Sequence, residues 1–165
     1  MRVALLADTH IPSRARDLPK SAWKIVAEAD LVLHAGDIVV PRFLDDLAAV
    51  TTTHAVRGNN DHRIAPSVPE RLELDLEGVS VAVIHDAGPA TGRRAHLRRL
   101  FPGARVVVFG HSHIPLVEDD GDLLMVNPGS PTDRRRMPTY TMGTLDIEGT
   151  APRAEIIDLG LERAT

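Results

Sequence analysis

The sequence contains five short apolar runs, and each one ends in side chains that can bind metals or move protons. The runs and the residues that close them are VALLADTH with Asp8 and His10, LVLHAGD with Asp37, THAVRGNND with Asn59, Asn60 and Asp61, VAVIHD with His85 and Asp86, and VVVFGHSH with His111 and His113. In an open α/β sheet, ligands bind at the carboxyl ends of the strands. We therefore expect these side chains to converge on one crevice.

The residues around these runs fit such a crevice. Gly36, Gly58 and Gly110 precede three of the polar positions, and glycine suits a chain that turns sharply or lets a ligand approach closely. The alternation of side chains along a strand would place Asp8 and His10 on the same side.

Two aspartates, one asparagine and four histidines form a mixed donor set: Asp8, His10, Asp37, Asn59, His85, His111 and His113. A mixed imidazole–carboxylate set suits manganese, iron, cobalt, nickel or zinc. The set is too large for one such ion and fits two ions that share a carboxylate bridge. Two metals roughly 3.5–4 Å apart form the clamp used for phosphate ester hydrolysis, with a hydroxide held between them.

Length and composition narrow the class of protein. The chain of 165 residues is long enough for a sizeable core, and we expect a single domain over residues 1–165. The net charge of −4 provides no general basic field for nucleic acid or anionic membranes. The absence of cysteine excludes disulfides, thiolate zinc sites and cysteine nucleophiles. The N-terminal apolar run, Val3 to Ala7, is too short for a signal peptide or a membrane span, so we expect a cytoplasmic protein.

The elements that must position the donors alternate between strands and helices over the first two thirds of the chain. We predict strands at 2–7, 31–34, 53–57, 71–76, 79–84 and 105–109, and helices at 17–29, 41–49 and 93–101. Glu77-Gly78 indicates a hairpin turn, and Pro41 suits the first turn of a helix. The last third, 116–159, shows short strands separated by turns, which is typical of antiparallel pairing. We expect an α/β fold of four αββα layers, in which two packed mixed β-sheets are flanked by helices.

The motifs in this order resemble those of the calcineurin-like metallophosphoesterase superfamily. They are D-x-H at 8–10, G-D at 36–37, G-N-x-D at 58–61, a lone histidine at 85 and G-H-x-H at 110–113. The later NPGS, Asn127 to Ser130, and the short length with no cap domain are similar to its small single-domain bacterial and archaeal phosphodiesterases. The resemblance covers Arg2 to about Leu159 and implies the family's fold, a β-sandwich flanked by helices.

The resemblance also implies a role for each donor. The first metal would be bound by Asp8, His10 and His113, the second by Asn59, His85 and His111, and Asp37 would bridge the two. The implied cofactors are two divalent transition metal ions, with manganese preferred and iron, zinc, nickel or cobalt as alternatives.

The candidate catalytic residues are Asp37, Asn59, Asn60 and Asp61. Asn60 stands where the family often has a histidine near the leaving group, and an amide does not release a proton at neutral pH. Either His62 substitutes as the acid or the enzyme relies on good leaving groups. We expect Asp61 to brace the turn or a neighbouring histidine rather than to bind metal.

A second departure from the family pattern is Asp86, which follows His85 where the family usually has glycine. Its carboxylate would either hydrogen-bond a ligand or repel an anionic substrate. In the DRRRMP segment, Arg134 to Arg136, the alternatives are an exposed basic loop and an arginine that grips phosphate bidentately.

The remaining histidines and the basic segment GRRAHLRRL have simpler interpretations. His34 lies in an apolar run and is expected to be a hydrogen-bonded core residue. We expect His54 and His96 to be solvated. The basic segment is interpreted as a solvated helix face or an oligomer contact.

Together these features predict a metal-dependent phosphodiesterase that acts on small phosphodiesters with a hydroxide bridging two metal ions. The alternatives are a phosphomonoesterase or nuclease of the same fold, or a non-catalytic protein-binding scaffold of the same fold. A scaffold is free to lose ligands, whereas this chain keeps all seven. The acidic balance argues against duplex nucleic acid as a partner, no membrane partner is expected, and a homo-oligomer, dimer or tetramer, is left open.

Overall fold

The computed structural model of the protein describes residues 1–64 and 67–161. Over these residues the strands are β1 (Arg2–Leu6), β2 (Leu31–His34), β3 (Thr53–Ala55), β4 (Arg71–Leu76), β5 (Val79–Ile84), β6 (Val106–Val108), β7 (Leu116–Asp119), β8 (Leu124–Asn127), β9 (Thr141–Glu148) and β10 (Ala151–Asp158). The helices are α1 (Lys20–Glu28), α2 (Pro41–Ala48) and α3 (Arg93–Leu100).

The strands form two mixed sheets of five strands each, in the orders β10-β9-β1-β2-β3 and β4-β5-β6-β8-β7. The parallel strands are β1, β2 and β3 in the first sheet, with β3 at its edge, and β5, β6 and β8 in the middle of the second. The antiparallel pairs are β9 with β1 and β10, β4 with β5, and β7 with β8. The antiparallel character predicted for the last third is therefore found in β7–β8 and β9–β10.

Alternating side chains of the central strands explain the layers. Val3 and Leu5 of β1 enter a core between the two sheets, whereas Ala4 and Leu6 face a second core that contains α1 and α2 residues. A third core lies between the second sheet and α3, where Leu97 packs. The period of two along each strand thus buries both faces of both sheets. The predicted αββα architecture is confirmed.

Most element boundaries follow the predictions, and two differences have local causes. Helix α1 begins at Lys20 rather than at residue 17, because Pro19 takes an extended N-cap conformation and the residue before a proline is biased away from helix. Asp17 instead accepts hydrogen bonds from the Leu18 N–H and the Trp23 indole. Strand β6 is shorter than predicted, since residues on each side of it already enter loops.

The hairpin and the basic helix are both informative. Glu77 and Gly78 both have positive φ, as a two-residue hairpin turn of the mirror-image type requires. In α3, Arg94 and Arg98 donate to the carbonyls of Leu123 and Ala104. The basic face of α3 is therefore half-buried at Arg94 and Arg98, whose guanidinium groups bind the loops that lead into β8 and β6, and Arg99 is exposed. None of the helices within the described ranges is long and apolar enough to cross a bilayer.

The core between the sheets predicts the effect of a large-to-small substitution. Leu33 of β2 is fully buried there. Leu33→Ala is expected to lower the free energy of unfolding by about 2–5 kcal/mol, because it removes buried methyl groups and leaves a cavity. Urea unfolding followed by Trp23 fluorescence measures the change. The matched control is Val50→Ala, since Val50 is 49% exposed; equal losses in the two variants would contradict the assignment of this core.

Candidate metal centre

The site is built by loops that follow β1, β2, β3, β5 and β6, so both sheets contribute to it. Backbone hydrogen bonds tie these loops together in pairs. The Asp8 N–H donates to the Gly36 carbonyl and the His10 N–H to the Asp37 carbonyl, each over 2.9 Å. The Gly110 N–H donates to the His85 carbonyl over 2.9 Å. The predicted convergence of the five runs is therefore present in the structure.

One group of donors is Asp8, His10 and His113, and all three are buried. The Nε2 atoms of His10 and His113 lie 3.4 Å apart, and His113 Nε2 lies 3.5 Å from Asp8 Oδ1. The Nδ1 of His113 faces the carbonyl oxygen of Asp133, which can only accept, so Nδ1 carries the proton. The Nε2 lone pair of His113 is thereby directed toward Asp8 and His10, as a metal ligand requires.

The other group is Asn59, His85 and His111, which lies closer to solvent because Asn59 and His111 are exposed. Asn59 Oδ1 is 3.1 Å from His85 Nε2 and 3.0 Å from His111 Nδ1. The Nδ1 of His85 donates to the Ala35 carbonyl over 2.8 Å, so its Nε2 presents a lone pair to the Asn59 oxygen. Two acceptors that face each other in this way are best satisfied by a cation.

Asp37 lies between the two groups. Its Oδ2 is 3.5 Å from His10 Nε2, and its Oδ1 is 3.6 Å from His85 Nε2. Burial favours the neutral carboxyl, but hydrogen bonds from Asn60 and the nearby His85 and His10 outweigh it, so the pKa of Asp37 is lowered. Asp37 therefore offers one oxygen of an ionised carboxylate to each group.

The chemistry of the donors fits cations, and Asp8 gives the strongest sign of it. Both carboxylate oxygens of Asp8 are buried and have no hydrogen-bond partner among the described residues. Burial, with Asp37 nearby, raises the pKa of Asp8 from 3.8 to about 8. A buried, unpaired carboxylate is costly unless a cation compensates it. Asp8, Asp37 and His85 also hold donor atoms close enough together to share an ion.

The imidazoles at the centre are held neutral by burial. It lowers the pKa of His10 and of His85, and it lowers the pKa of His113 to about 4. A metal ligand must be the unprotonated imidazole. These three histidines are therefore ready to coordinate at neutral pH without first losing a proton.

The backbone at the centre is strained. Asp8, His10, Asp37, His111 and His113 all have φ between 46° and 69°, in the left-handed region. Each such residue costs of order 1–3 kcal/mol and persists only where its surroundings impose it, and such residues cluster at functional sites. The prediction that strand alternation pairs Asp8 with His10 is wrong in its reasoning. Strand β1 ends at Leu6, and the left-handed turns bring the two side chains together.

Close packing explains the glycines that precede the donors. A Cβ on Gly58 would lie 2.2 Å from Asp37 Oδ1, and one on Gly110 would lie 2.9 Å from Asp8 Oδ2. No side chain fits at either position while the donors keep their places. The predicted need for close approach at these glycines is confirmed.

Asp61 holds the backbone of the loops that carry the donors. Its buried carboxylate accepts hydrogen bonds from the backbone N–H groups of Asp37, Ile38, Val39 and Gly58. These four bonds join the loop after β2 to the loop after β3, which agrees with the expected bracing of the turn. The carboxylate is engaged on the side of the backbone, so we assign Asp61 to positioning rather than to contact with substrate.

The NPGS segment provides a second support whose role the sequence analysis did not assign. The Ser130 hydroxyl donates to the Asp8 carbonyl over 2.8 Å, and the Thr132 hydroxyl donates to the Thr9 carbonyl. Asn127 Nδ2 donates to the Gly110 carbonyl over 2.9 Å. The segment therefore joins the first and last donor loops. The signal in the sequence was the resemblance of NPGS to a motif of the family's small phosphodiesterases, which did not indicate this role.

The other histidines lie as follows. His34 is fully buried, its Nδ1 accepts the Gly36 N–H, and its Nε2 meets the Thr9 hydroxyl at 3.0 Å. Burial lowers the pKa of His34 to about 3, so it is a neutral core residue, as expected. His54 and His62 are exposed, whereas His96 is half-buried rather than fully solvated.

Two pockets flank the donors. The first, called the basic pocket here, has a volume of about 430 Å³ and is lined by His10, Ser13, Arg14, Val39, Asn60, Asp133 and Arg135. The second, called the acidic pocket, has a volume of about 330 Å³ and is lined by Arg57, Gly58, Asn59, Glu70, Ile84, His85, Asp86 and His111. Asp133 begins the DRRRMP segment that the sequence already pointed to, whereas Ser13 and Arg14 were not predicted individually, because isolated polar residues in loops carry no local signal.

A two-sheet αββα sandwich whose strand ends carry a cluster of metal donors is the architecture of a metallophosphoesterase. Residues 1–150 match the family model described as the calcineurin-like phosphoesterase superfamily domain. The chain belongs to this superfamily.

Known relatives agree. A probable metallophosphoesterase of Methanothermobacter thermautotrophicus is 34% identical over 162 residues, which cover 97% of this chain and 94% of the relative. Two solved structures share the fold. Wild-type Vps29 of Entamoeba histolytica, complexed with Zn²⁺, has a TM-score of 0.77 at 19% identity over 96% of this chain and 99% of its own. A protein characterised as a novel archaeal phosphodiesterase has a TM-score of 0.71 at 21% identity over 95% of this chain and 100% of its own.

The raised pKa of Asp8 predicts a pH-dependent effect of Asp8→Asn in the metal-free protein. A carboxyl whose pKa is raised by folding stabilises the fold fully below its unfolded pKa of 3.8, and this contribution is lost as the pH rises through about 8. Asp8→Asn removes this pH-dependent loss of stability, because asparagine does not ionise. At about pH 9 in EDTA the variant should exceed the wild type in free energy of unfolding by roughly 2 kcal/mol or more, and the gap should narrow toward about pH 5.

Urea unfolding in EDTA measures this difference, and adding manganese should stabilise the wild type far more than Asp8→Asn. Asp45→Asn is the matched control, because Asp45 is exposed on α2. A variant that is less stable than the wild type at both pH values and still gains equally from manganese would refute this account of Asp8.

Proposed function

We propose that the chain is a single metallophosphoesterase domain that binds two divalent transition metal ions and hydrolyses small phosphodiesters. The observation that carries the proposal is the unpaired, buried carboxylate of Asp8 among six further donors. Asp8, His10 and His113 would hold one ion, Asn59, His85 and His111 the other, and Asp37 both. Manganese is the metal that the resemblance favours, and mixed oxygen and imidazole donors without thiolate fit it as they also fit iron, cobalt, nickel or zinc.

When bound, the two ions supply Lewis acidity toward the phosphoryl oxygens and the nucleophilic hydroxide. The protein's own contribution is to fix the donors before substrate arrives. The Asp61 carboxylate and the Ser130 hydroxyl hold the loops that carry Asp37 and Asp8. Asn60 donates from its side-chain amide to Asp37 Oδ2 over 2.7 Å and from its backbone to Oδ1 over 2.9 Å, which orients the bridging carboxylate.

The two pockets support a diester rather than a monoester as the substrate. The basic pocket begins at His10 of one donor group, and the acidic pocket begins at Asn59, His85 and His111 of the other. A phosphodiester has an ester arm on each side of its phosphorus, and a pocket on each side of the centre can receive one arm. A monoester would fill one pocket and leave the other empty.

The alternatives have less support. A scaffold has no use for a buried carboxylate without a partner, which would only reduce its stability. The Vps29 neighbours support the shared fold, and the protein characterised as an archaeal phosphodiesterase shows that this fold accommodates diester hydrolysis. A cytoplasmic location and a homo-oligomeric state, dimer or tetramer, stay predictions from the sequence.

The proposal predicts a substrate preference. With saturating manganese, kcat/KM for bis(p-nitrophenyl) phosphate should exceed that for p-nitrophenyl phosphate by at least about tenfold, which corresponds to about 1.4 kcal/mol in the barrier. The leaving group is the same in both substrates, so the ratio reports the second arm together with the smaller negative charge of the diester. Release of p-nitrophenol measures both reactions.

Asp37→Ala is the variant that links this activity to the centre. It should lower kcat for both substrates to less than about one hundredth of the wild-type value, because neither donor group keeps its shared carboxylate. A clear monoester preference would reassign the protein as a phosphatase. If the metal-loaded protein hydrolyses neither substrate, the result would favour a non-catalytic scaffold.

Asn60 predicts a steep dependence of rate on the leaving group. A positioned acid contributes typically about 10²–10⁴-fold, and an amide cannot supply that proton. Aryl esters should therefore turn over readily and alkyl esters poorly. Asn60→His should raise turnover of methyl p-nitrophenyl phosphate little but raise turnover of dimethyl phosphate markedly.

A series of aryl and alkyl methyl phosphodiesters measures this dependence. His62→Ala is the matched comparison, because His62 is exposed and two residues from Asn60. If His62 were the acid, its removal would slow only the poor leaving groups. A shallow dependence in the wild type that His62→Ala leaves unchanged would exclude both accounts of the leaving-group proton.

A further inference from the structure

The two pockets beside the donors differ in charge. In the basic pocket, Arg14 and Arg135 face a single carboxylate, Asp133. In the acidic pocket, Glu70 forms an ion pair with Arg57, and Asp86 is a second carboxylate in the same lining. The excess charge is therefore positive on the His10 side of the centre and negative on the His85 side. A substrate that spans both pockets meets opposite charges at its two ends.

Arg135 is the better placed of the two arginines in the basic pocket. Within residues 1–64 and 67–161 it forms no ion pair, and its one hydrogen bond is a long one of 3.4 Å from Nη1 to the His111 carbonyl. It lines the same pocket as His10, which places the guanidinium beside the first donor group. Most of its donors are therefore available to a ligand.

Arg14 completes the pocket from a distant part of the chain. Its Nε lies 3.5 Å from Asp133 Oδ2, and its side chain is 65% exposed. The described part of the chain gives its two Nη groups no hydrogen bond. Ser13 lies beside it in the same lining and keeps its hydroxyl on the His10 carbonyl. Two guanidinium groups thus border one pocket, and only one of them is partly neutralised.

The neighbouring arginines are arranged differently. Arg134 donates to the Met137 carbonyl over 2.6 Å and lies 6.0 Å from the centre of the Tyr140 ring. Arg136 is exposed and does not line the pocket. Of the three arginines in the DRRRMP segment, only Arg135 therefore contributes to the basic pocket.

We propose that the basic pocket is a subsite for a second phosphate group of the substrate, bound by Arg135 and Arg14. The inference rests on the proposed phosphodiesterase function and specifies its substrate class: an asymmetric diester with one phosphorylated arm and one uncharged arm. The phosphorylated arm occupies the basic pocket. The uncharged arm occupies the acidic pocket, where Glu70 is paired with Arg57 and the carboxylate of Asp86 repels a second anion.

A matched pair of substrates tests the subsite. Thymidine 5′-(p-nitrophenyl phosphate) and its 3′-phosphorylated derivative have the same scissile bond and differ by one phosphate group. In each, a P–O bond forms to hydroxide, the P–O bond to the aryl group breaks and p-nitrophenolate leaves. With manganese bound, the wild type should favour the 3′-phosphorylated substrate in kcat/KM by at least about tenfold, as expected for charge-assisted hydrogen bonds.

Variants of the arginines show which residues bind the extra phosphate. Arg135→Gln and Arg14→Gln should each reduce the ratio between the two substrates toward one, and Arg135→Lys should restore it in part, since lysine keeps the charge but not the bidentate geometry. Arg136→Gln is the matched control and should keep the wild-type ratio. The ratio should also fall as salt rises, because the subsite is exposed to solvent.

Binding provides a readout that does not depend on turnover. Calorimetric titration of the manganese-loaded protein should show that thymidine 3′,5′-bisphosphate binds at least about tenfold more tightly than thymidine 5′-monophosphate, and that Arg135→Gln abolishes the difference. Equal affinities, or a difference that survives in both Arg135→Gln and Arg14→Gln, would overturn the subsite. A protein that binds the bisphosphate more tightly but hydrolyses no diester would keep the subsite and refute the proposed function. Hydrolysis of both diester substrates at equal kcat/KM would keep the proposed function and refute the subsite.

Discussion

The buried carboxylate of Asp8 is the constraint on which the rest of the centre depends. It has no hydrogen-bond partner among the described residues, and both burial and the nearby Asp37 oppose its ionisation. A fold keeps such a group when a cation compensates it, and the neutral imidazoles of His10 and His113 stand where that cation would be shared. Binding of the cation therefore recovers the free energy that is lost by burying the donors. This links metal binding to the stability of the fold.

The strain around the donors follows from the same requirement. Left-handed backbone at Asp8, Asp37 and His113 turns each side chain inward immediately after its loop leaves the sheet. Such conformations persist only when the surroundings impose them. Two rigid sheets, the four N–H bonds to Asp61 and the hydroxyl of Ser130 provide that support. The stability of the sandwich thus maintains a geometry that the donor loops would not adopt alone.

Charge is distributed around the centre in a way that the net value does not show. The chain as a whole carries −4, yet the basic pocket combines Arg14 and Arg135 against Asp133. A local field of this kind acts on a ligand within a Debye length of about 10 Å, whereas the distant charges are screened. The net charge of the chain therefore does not describe the charge that a ligand meets at the centre.

The sequence by itself determined the α/β class and the hairpin at Glu77-Gly78, and it predicted the donor set, because the periodicity of buried strands and the order of the motifs are local properties that need no partner. The tertiary structure decided what depends on segments far apart in the chain. Packing of one sheet on the other brings His113 to His10, the Asp61 carboxylate joins two loops, and Arg14 meets Arg135 across one pocket. Even the pairing of Asp8 with His10 needed the structure, since it arises from left-handed turns beyond the end of β1 and not from the alternation of a strand.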